Sequence, residues 1–221
     1  MAALENLEFW WDPVARGGPE NMAVDGWLLD QEVAVLRAYA WEGSWGSLGY
    51  FGELATARKV LPGVPLVRRA TGGGVVDHRD DLTYTLAIPR ECRLAGAKGS
   101  ESYRIIHSAL AAALHKAGHE VYLVHEDHDI DSSSCFAKPV AWDLIDGRGA
   151  KIAGAGQRRT RKGLLHQGSI MLQDAADGTE ILMELASELA QLVKPSENDP
   201  SGDELSSLVS QFSDAAWLDR R

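Results

Sequence analysis

Arg68-Arg69-Ala70-Thr71-Gly72-Gly73-Gly74-Val75-Val76-Asp77-His78 is the stretch around which the chain is organised. It lies between two apolar runs, residues 64–67 and 82–88. Consecutive glycines are costly to order, so a folded protein keeps them where the backbone takes a positive φ or approaches another group closely. The glycines alone leave two interpretations open, a glycine hairpin and a turn against a ligand. The arginines before the turn and the histidine after it favour the ligand.

The pattern outward from this turn predicts strands in hairpins with helices between them. The main predicted elements are a helix over about 20–33, a strand over 82–88, a helix over 101–114, a hairpin of 140–145 with 150–157, a strand over 164–172, and helices over 178–193 and 203–218. Periodic apolar spacing supports the helices, and Gly147-Arg148-Gly149 supports the hairpin turn. This arrangement indicates an α+β fold in one domain, 1–221, rather than a doubly wound parallel sheet.

Composition restricts the class of function. The 221 residues carry a formal net charge of −10, so we do not expect nucleic-acid binding through a general positive field. The two cysteines, Cys92 and Cys135, indicate no disulfide framework and favour a reducing, cytoplasmic setting. The sequence has no signal-peptide pattern and no apolar run of membrane-spanning length, so we expect no membrane association.

Two residues are candidates for catalysis. Lys151 lies in an otherwise apolar strand; alone it is expected on the solvent face, but beside two glycines it could reach into a pocket. Cys135 precedes it by 16 residues, and a cysteine beside a fixed cation becomes a nucleophile. An inert cysteine at a loop end remains the alternative. The acidic segment 125–129 lacks the spacing of a zinc site, so no metal site is predicted. The basic segment 158–162 could meet an acidic partner, or be a solvated turn.

Four ordered segments resemble one protein superfamily, that of the lipoate–protein ligases, octanoyltransferases and biotin–protein ligases. The segments are 68–78, 81–85, 151–159 and 165–170, and residues 21–25 are similar to the family's first helix. The resemblance covers about 19–172. It implies a catalytic domain with a mixed, largely antiparallel sheet packed with helices and a tunnel for a medium-length acyl chain; the two helices predicted within about 178–218 follow the matched region. It also implies these acyl- or nucleotide-binding residues: Arg69, Thr71, Gly72, Gly73, Gly74, His78, Gly154, Gln157, His166 and Gly168.

The resemblance leaves two chemistries open. The segment from Cys135 to Trp142 is similar to that of transferases that move octanoyl from acyl carrier protein through a cysteine, without a cofactor. The three glycines ending at Gly74 are more similar to ligases, which form lipoyl-AMP from lipoate with ATP and Mg²⁺. In either case the implied acceptor is a lysine of a lipoyl domain or of the glycine-cleavage H protein. A binding homologue that has lost turnover is the third possibility.

For the transferase we predict that the Cys135 thiolate attacks the acyl thioester. Lys151 would place a positive charge at the carbonyl oxygen as it becomes an oxyanion. His78 is a candidate base for the incoming amine.

Overall fold

The computed structural model describes residues 2–125, 139–172, 178–198, 200 and 202–220, and Cys135 lies outside them. The strands are β1 (Leu4–Trp11), β2 (Val35–Tyr39), β3 (Gly46–Leu48), β4 (Leu66–Arg68), β5 (Val76–Asp77), β6 (Leu82–Pro89), β7 (Val121–Leu123), β8 (Leu144–Asp146), β9 (Lys151–Arg159), β10 (Gly163–Ile170) and β11 (Ala190–Pro195). The helices are α1 (Gly18–Leu28), α2 (Leu54–Val60), α3 (Arg93–Gly96), α4 (Gly99–Lys116), α5 (Gly178–Leu189), α6 (Gly202–Ser213) and α7 (Ala215–Leu218).

Eight strands form one mixed sheet in the order β11-β1-β2-β6-β10-β9-β8-β7. The pairs of β1 with β11 and with β2 are parallel, and the pairs from β2 onward are antiparallel. A smaller sheet has the order β4-β3-β5. The predicted α+β class with a mixed, largely antiparallel sheet is therefore confirmed.

Helices cover both faces of the large sheet. On one face α4 and α5 bury a continuous apolar core, with Ile106, Leu110 and Leu114 fully enclosed. Burial of each such side chain contributes about 1.5–3 kcal/mol relative to exposure. On the other face α1 buries Val24 and Leu28 against β2, β6 and β10. Within the described residues, no helix combines the length and apolar character needed to span a membrane.

The stretch 68–78 is not a hairpin. Strand β4 pairs in parallel with β3, and β5 pairs with β3 from the other side in antiparallel, so β3 lies between the two. The glycine turn therefore crosses over the end of β3, where it can be pressed against the large sheet.

Several predicted elements have different bounds in the structure. The strand predicted over 140–145 begins only at Leu144, and the strand predicted over 164–172 ends at Ile170. Helix α1 stops at Leu28, short of the predicted 33. The helix predicted over 178–193 stops at Leu189, because the chain then pairs as β11 with the edge of β1. This partner is distant in sequence, and its contribution overrides the local helical spacing. The helix predicted over 203–218 divides at Asp214, whose side chain accepts the Ala216 N–H at 2.9 Å and begins α7.

Candidate active site

A narrow cavity lies between the glycine turn, α1 and the face of β9 and β10 opposite α4. Its lining is Met22, Tyr39, Trp41, Arg69, Gly73, Gly74, Val76, His78, Thr83, Lys151, Gly154, Ala155, Gly156, Gln167, Gly168 and Ser169. The lining combines an apolar part with cationic and hydroxyl groups, which suits a ligand with an apolar tail and a polar head.

The glycine turn is wedged between two other glycines. A Cβ on Gly49 would lie 1.9 Å from the Gly73 carbonyl oxygen, and a Cβ on Gly156 would lie 2.4 Å from the Gly72 carbonyl oxygen. Gly73 also has φ +96°, a conformation that favours glycine. The turn therefore depends on glycines at three places along the chain. A Cβ on Gly72, in contrast, would meet no described atom within 4 Å.

Arg69 holds the turn from the inside. Its guanidinium donates to the Gly72 and Gly74 carbonyl oxygens at 3.0 and 3.1 Å, and to Ser47 Oγ at 2.6 Å. The Ser47 hydroxyl faces His78 Nε2 at 2.6 Å, and His78 Nδ1 faces Asp81 Oδ2 at 2.7 Å. Because the Asp81 carboxylate can only accept, His78 Nδ1 carries a proton and donates it to Asp81.

That His78 is a base for an incoming amine stays a prediction: both ring nitrogens are hydrogen-bonded, so Nε2 could accept a proton from an amine only after it releases the Ser47 hydroxyl. Trp41 stacks on the His78 ring with 4.2 Å between centroids, and the histidine is 7% exposed. Asp81 also accepts from Ser169 and from Thr83, the latter at 2.9 Å. His78 lines the cavity as a fixed part of its wall.

Lys151 is a buried cation at the polar end of the cavity. Its Nζ lies 2.7 Å from Asp143 Oδ2, and its side chain is 7% exposed. The alternative that Lys151 lies on the solvent face of the hairpin is wrong. A Cβ on Gly154 would lie 2.4 Å from Lys151 Cε, so the glycine leaves the path that the lysine follows.

Asp143 is itself held by two groups that the sequence did not reveal. Its Oδ1 accepts the Tyr103 hydroxyl at 2.6 Å, and its Oδ2 accepts the Val140 N–H at 2.8 Å. The adjacent Trp142 has φ +72°, a strained conformation for a residue with a side chain. Strain directly before Asp143 indicates that the fold fixes this carboxylate at an energetic cost.

Tyr103 also completes an open edge of β9. Strand β8 pairs with β9 only as far as Ala153, and two residues later the Ala155 N–H donates to the Tyr103 hydroxyl at 2.8 Å. A side chain of α4 thus supplies the hydrogen-bond acceptor that a neighbouring strand would otherwise provide. Burial and the nearby Asp143 carboxylate raise the pKa of Tyr103 well above 10, so the hydroxyl keeps its proton and donates it to Asp143.

Two predicted site residues lie on the other face of the sheet. Gln157 Nε2 faces His166 Nδ1 at 3.0 Å, and the Tyr84 hydroxyl faces His166 Nε2 at 3.1 Å, beneath α4. Burial lowers the pKa of His166 well below 6.5, so the ring is neutral. Gln157 and His166 are not among the residues that line the cavity. Gly168 does line it, and its missing Cβ leaves room for the Tyr84 ring on the opposite face.

Thr71 supports the turn from behind. Its hydroxyl donates to Gln167 Oε1 at 2.7 Å, and Gln167 Nε2 donates to Asp25 Oδ2 at 2.7 Å. Asp25 in turn pairs with the buried Arg37 at 2.7 Å, and Arg37 pairs with Asp12 at the same distance. Helix α1 thereby connects the glycine turn to an ion-pair network in the floor of the cavity.

The structure brings together much of the predicted set. The predicted residues that line the cavity are Arg69, Gly73, Gly74, His78, Lys151, Gly154 and Gly168. Cys135 lies outside the described residues. The other cysteine, Cys92, is partly buried beside β1 and α3, and burial raises the pKa of its thiol. The residues missed from sequence are Ser47, Asp81, Tyr103 and Asp143, all polar groups whose partners lie in other elements.

The chain belongs to the lipoyl protein ligase A/B catalytic domain family, whose model matches residues 18–210. This match includes the predicted core of about 19–172 and extends through α5, β11 and most of α6.

The similar curated proteins carry the name octanoyltransferase LipM. That of Lysinibacillus sphaericus is 31% identical over 172 residues, covering 69% of this chain and 61% of the relative. That of Staphylococcus aureus is 32% identical over 184 residues, covering 74% and 66%. The chain thus spans about three fifths of the first of these relatives.

Solved structures support the fold. A putative lipoate protein ligase from Thermoplasma acidophilum, with bound lipoic acid, superposes with a TM-score of 0.71 at 17% identity, covering 97% of this chain and 99% of that one. A lipoate-protein ligase A bound with ATP superposes with a TM-score of 0.68 at 18% identity, covering 97% and 98%.

Proposed function

We propose that this chain is an acyltransferase of protein lipoylation that moves an octanoyl group from acyl carrier protein, through Cys135, to one lysine of a lipoyl domain or of the glycine-cleavage H protein. The observation that carries the proposal is the buried Lys151 ammonium at the polar end of a part-apolar cavity. The relatives named octanoyltransferase support it. A cysteine nucleophile needs its thiol reduced, so a cytoplasmic setting belongs to the same proposal.

In the first step the Cys135 thiolate attacks the carbonyl carbon of the octanoyl thioester. A new S–C bond forms, the carrier's sulfur leaves as a thiolate, and the carbonyl oxygen carries a negative charge in between. The Lys151 ammonium is suited to stabilise that oxyanion, because Asp143 fixes its position before the charge develops. One preorganised donor of this kind contributes about 3–4 kcal/mol to transition-state stabilisation.

In the second step the neutral amine of the acceptor lysine attacks the acyl-enzyme. The C–N bond forms, the C–S bond to Cys135 breaks, and the proton that the amine loses passes to water, which leaves Cys135 as the thiolate. Lys151 serves the second oxyanion as it served the first. His78 could take that proton only if its Nε2 first released the Ser47 hydroxyl.

The apolar side of the cavity is suited to the acyl chain. Met22, Tyr39, Trp41 and Val76 line it, and Met22 and Tyr39 are buried. Transfer of each methylene of the acyl chain from water into this lining contributes about 0.8 kcal/mol. Gly73 and Gly74 of the glycine turn form part of the cavity wall.

The test is a mass measurement on an apo lipoyl domain. The domain is incubated with the protein and either octanoyl–acyl carrier protein or lipoate with ATP and Mg²⁺. We expect octanoylation from the carrier protein alone, lost in Cys135→Ala and in Lys151→Ala. Cys92→Ala is the matched control, because Cys92 lies away from the cavity, and it should keep full activity.

Other outcomes would overturn the proposal in different ways. Acylation that requires ATP and survives Cys135→Ala would establish the ligase reaction, in which Lys151 and the glycine turn would face the α-phosphate. Absence of acylation in both mixtures, with folded protein, would favour a binding homologue. Full activity of Lys151→Ala would remove this residue from the mechanism.

A further inference from the structure

Phe51 is the most exposed large apolar side chain of the described residues, at 87%, whereas the next, Met183, is 50% exposed. It lies in the turn that follows β3, two residues after the Gly49 that packs against the glycine turn. Its ring meets Tyr50 edge-on with 4.9 Å between centroids. Single exposed apolar residues are normal, but Phe51 belongs to a surface turn that is held in place by a buried side chain.

Arg68 fixes that surface. Its guanidinium is fully buried and donates to five backbone carbonyl oxygens. Three belong to the turn that carries Phe51 (Gly49, Tyr50 and Gly52), and two belong to α7 (Trp217 and Leu218), at 2.7–3.1 Å. Because all of these hydrogen bonds go to backbone carbonyl oxygens, the buried arginine holds the surface turn in one conformation. The backbone that carries Phe51 is therefore held in place, which lowers the backbone entropy lost when a partner binds.

Two further arginines stack on Tyr50 beside Phe51. The guanidinium carbons of Arg158 and Arg220 lie 5.1 and 4.2 Å from the centroid of the Tyr50 ring. Among the described residues neither arginine forms an ion pair, although Glu53 and Asp219 border the same cleft. We name Tyr50, Phe51, Arg158 and Arg220 the aromatic–arginine platform. Arginine and aromatic side chains are the groups that dominate binding energy at protein interfaces.

The platform adjoins the wall of the cavity. Arg158 follows Gly156 by two residues on β9, so both face the same side of the sheet about 7 Å apart. The Tyr50 N–H donates to the Thr71 carbonyl oxygen at 2.8 Å, at the start of the glycine turn. A protein seated on the platform would thus lie next to the cavity in which acyl transfer is proposed.

We propose that the aromatic–arginine platform is the docking surface for the acceptor, a folded carrier domain that presents carboxylates around an apolar residue next to its target lysine. The inference rests on the proposed function only in requiring such an acceptor, which the transferase and the ligase reactions share. The acyl donor is a protein in the transferase reaction alone, so the acceptor is the occupant to which we commit. Arginines without ion pairs, in a chain of net charge −10, supply the charge complementarity.

The test compares Phe51→Ala and Arg220→Ala with Leu192→Ala, which removes a 48%-exposed side chain on β11, at the opposite edge of the sheet from β9 and far from the platform. Binding of an apo lipoyl domain is measured by calorimetry without acyl donor, and transfer is measured with acceptor and donor varied separately. We expect the Kd and KM for the acceptor to rise roughly tenfold in both platform variants, with kcat at saturation and donor KM unchanged. Leu192→Ala should match the wild type, and acceptor binding should weaken with salt.

Three results would overturn the inference: an unchanged acceptor Kd, a rise in donor KM alone, or a change in self-association without a change in acceptor Kd. The second would assign the platform to the acyl donor, and the third to a second copy of the chain. Wild-type protein that binds the domain with no acyl transfer would refute the proposed function, while the calorimetric comparison would still decide the docking surface.

Discussion

Replacement of Asp143 by asparagine tests how the fold prepares Lys151. The two side chains are 7% and 0% exposed, and their charged atoms lie 2.7 Å apart. At an effective dielectric constant of 20 the Coulomb energy at this distance is about 6 kcal/mol, before desolvation is subtracted. Asparagine keeps the size but removes the charge, and its NH₂ group must face one of the three donors, Lys151, Tyr103 or the Val140 N–H. Removing one partner of a buried pair costs about 3–5 kcal/mol of stability.

The consequence for catalysis follows from the same geometry. An ammonium that is no longer fixed beside the cavity cannot meet the oxyanion without reorganisation, so we expect kcat to fall about 10²–10³-fold, as when an oxyanion-hole donor is lost. The assays are urea unfolding followed by circular dichroism, and single-turnover acyl transfer with saturating acceptor. Asp30→Asn is the matched control, because it breaks the exposed Lys162–Asp30 pair and should cost at most about 1 kcal/mol.

A double-mutant cycle separates the pair from its surroundings. Lys151→Met removes the cation that pairs with Asp143. In that background Asp143→Asn should therefore lower the free energy of unfolding by roughly 1–3 kcal/mol less than it does in the wild type. If the two changes add without coupling, or if Asp143→Asn keeps wild-type stability and kcat, then Asp143 does not position Lys151.

Three further predictions concern the elements around the site. In Tyr103→Phe the Ala155 N–H loses its acceptor, so the free energy of unfolding should fall by about 1–3 kcal/mol. The value of kcat should also fall, while the KM for the acceptor stays unchanged. Unchanged thermal stability would contradict this prediction. Burial lowers the pKa of His107 to about 4, so between pH 4 and 6.5 the unfolded chain binds more protons than the folded one. The contribution of His107 to the free energy of unfolding should therefore be fully present above pH 6.5 and fall by about 1.4 kcal/mol per pH unit below it. Urea unfolding across this pH range should show that His107→Leu removes this part of the pH dependence. Gly156→Ala should displace the glycine turn and lower the affinity for the acyl donor. Gly72→Ala, whose added methyl group meets open space, should bind the donor normally in the same assay. Equal effects of the two changes would refute the conclusion that the turn packs tightly against Gly156.

Sequence reasoning succeeded where the chemistry shows in a single segment. The glycine turn combines adjacent arginines with a run of residues that only a close backbone approach explains, and Lys151 is a charge within an apolar strand beside glycines. Both signals are local, and both residues line the cavity. The same reasoning placed Gln157 and His166 in the site because they follow Lys151 and precede Gly168 in matching segments. Gln157 directly follows Gly156, which faces the glycine turn, and His166 directly precedes Gln167, which lines the cavity, so alternation turns both side chains to the other face.

The residues that were missed share a different property. Asp143 precedes Lys151 by eight residues, but their contact depends on the register shift between β8 and β9. Asp81 also accepts from Ser169 on β10, which is 88 residues away in sequence, so this contact has no signal within one segment. Strand β11 likewise exists only because β1 offers a parallel edge. Polar networks and edge strands are set by contacts between distant segments, so composition and periodicity do not reveal them.

The pair Arg68-Arg69 now explains why this stretch organises the molecule. Neighbouring side chains of an extended backbone point to opposite sides. Arg68 therefore reaches outward and binds the turn of Phe51 to α7, while Arg69 reaches inward and binds the glycine turn to Ser47 and His78. Each guanidinium is buried and donates mainly to backbone carbonyls, which is a structural use of a charge that elsewhere binds phosphate. The outer surface and the cavity wall are consequently held by consecutive residues of one chain segment, so a shift of either requires a shift of the other.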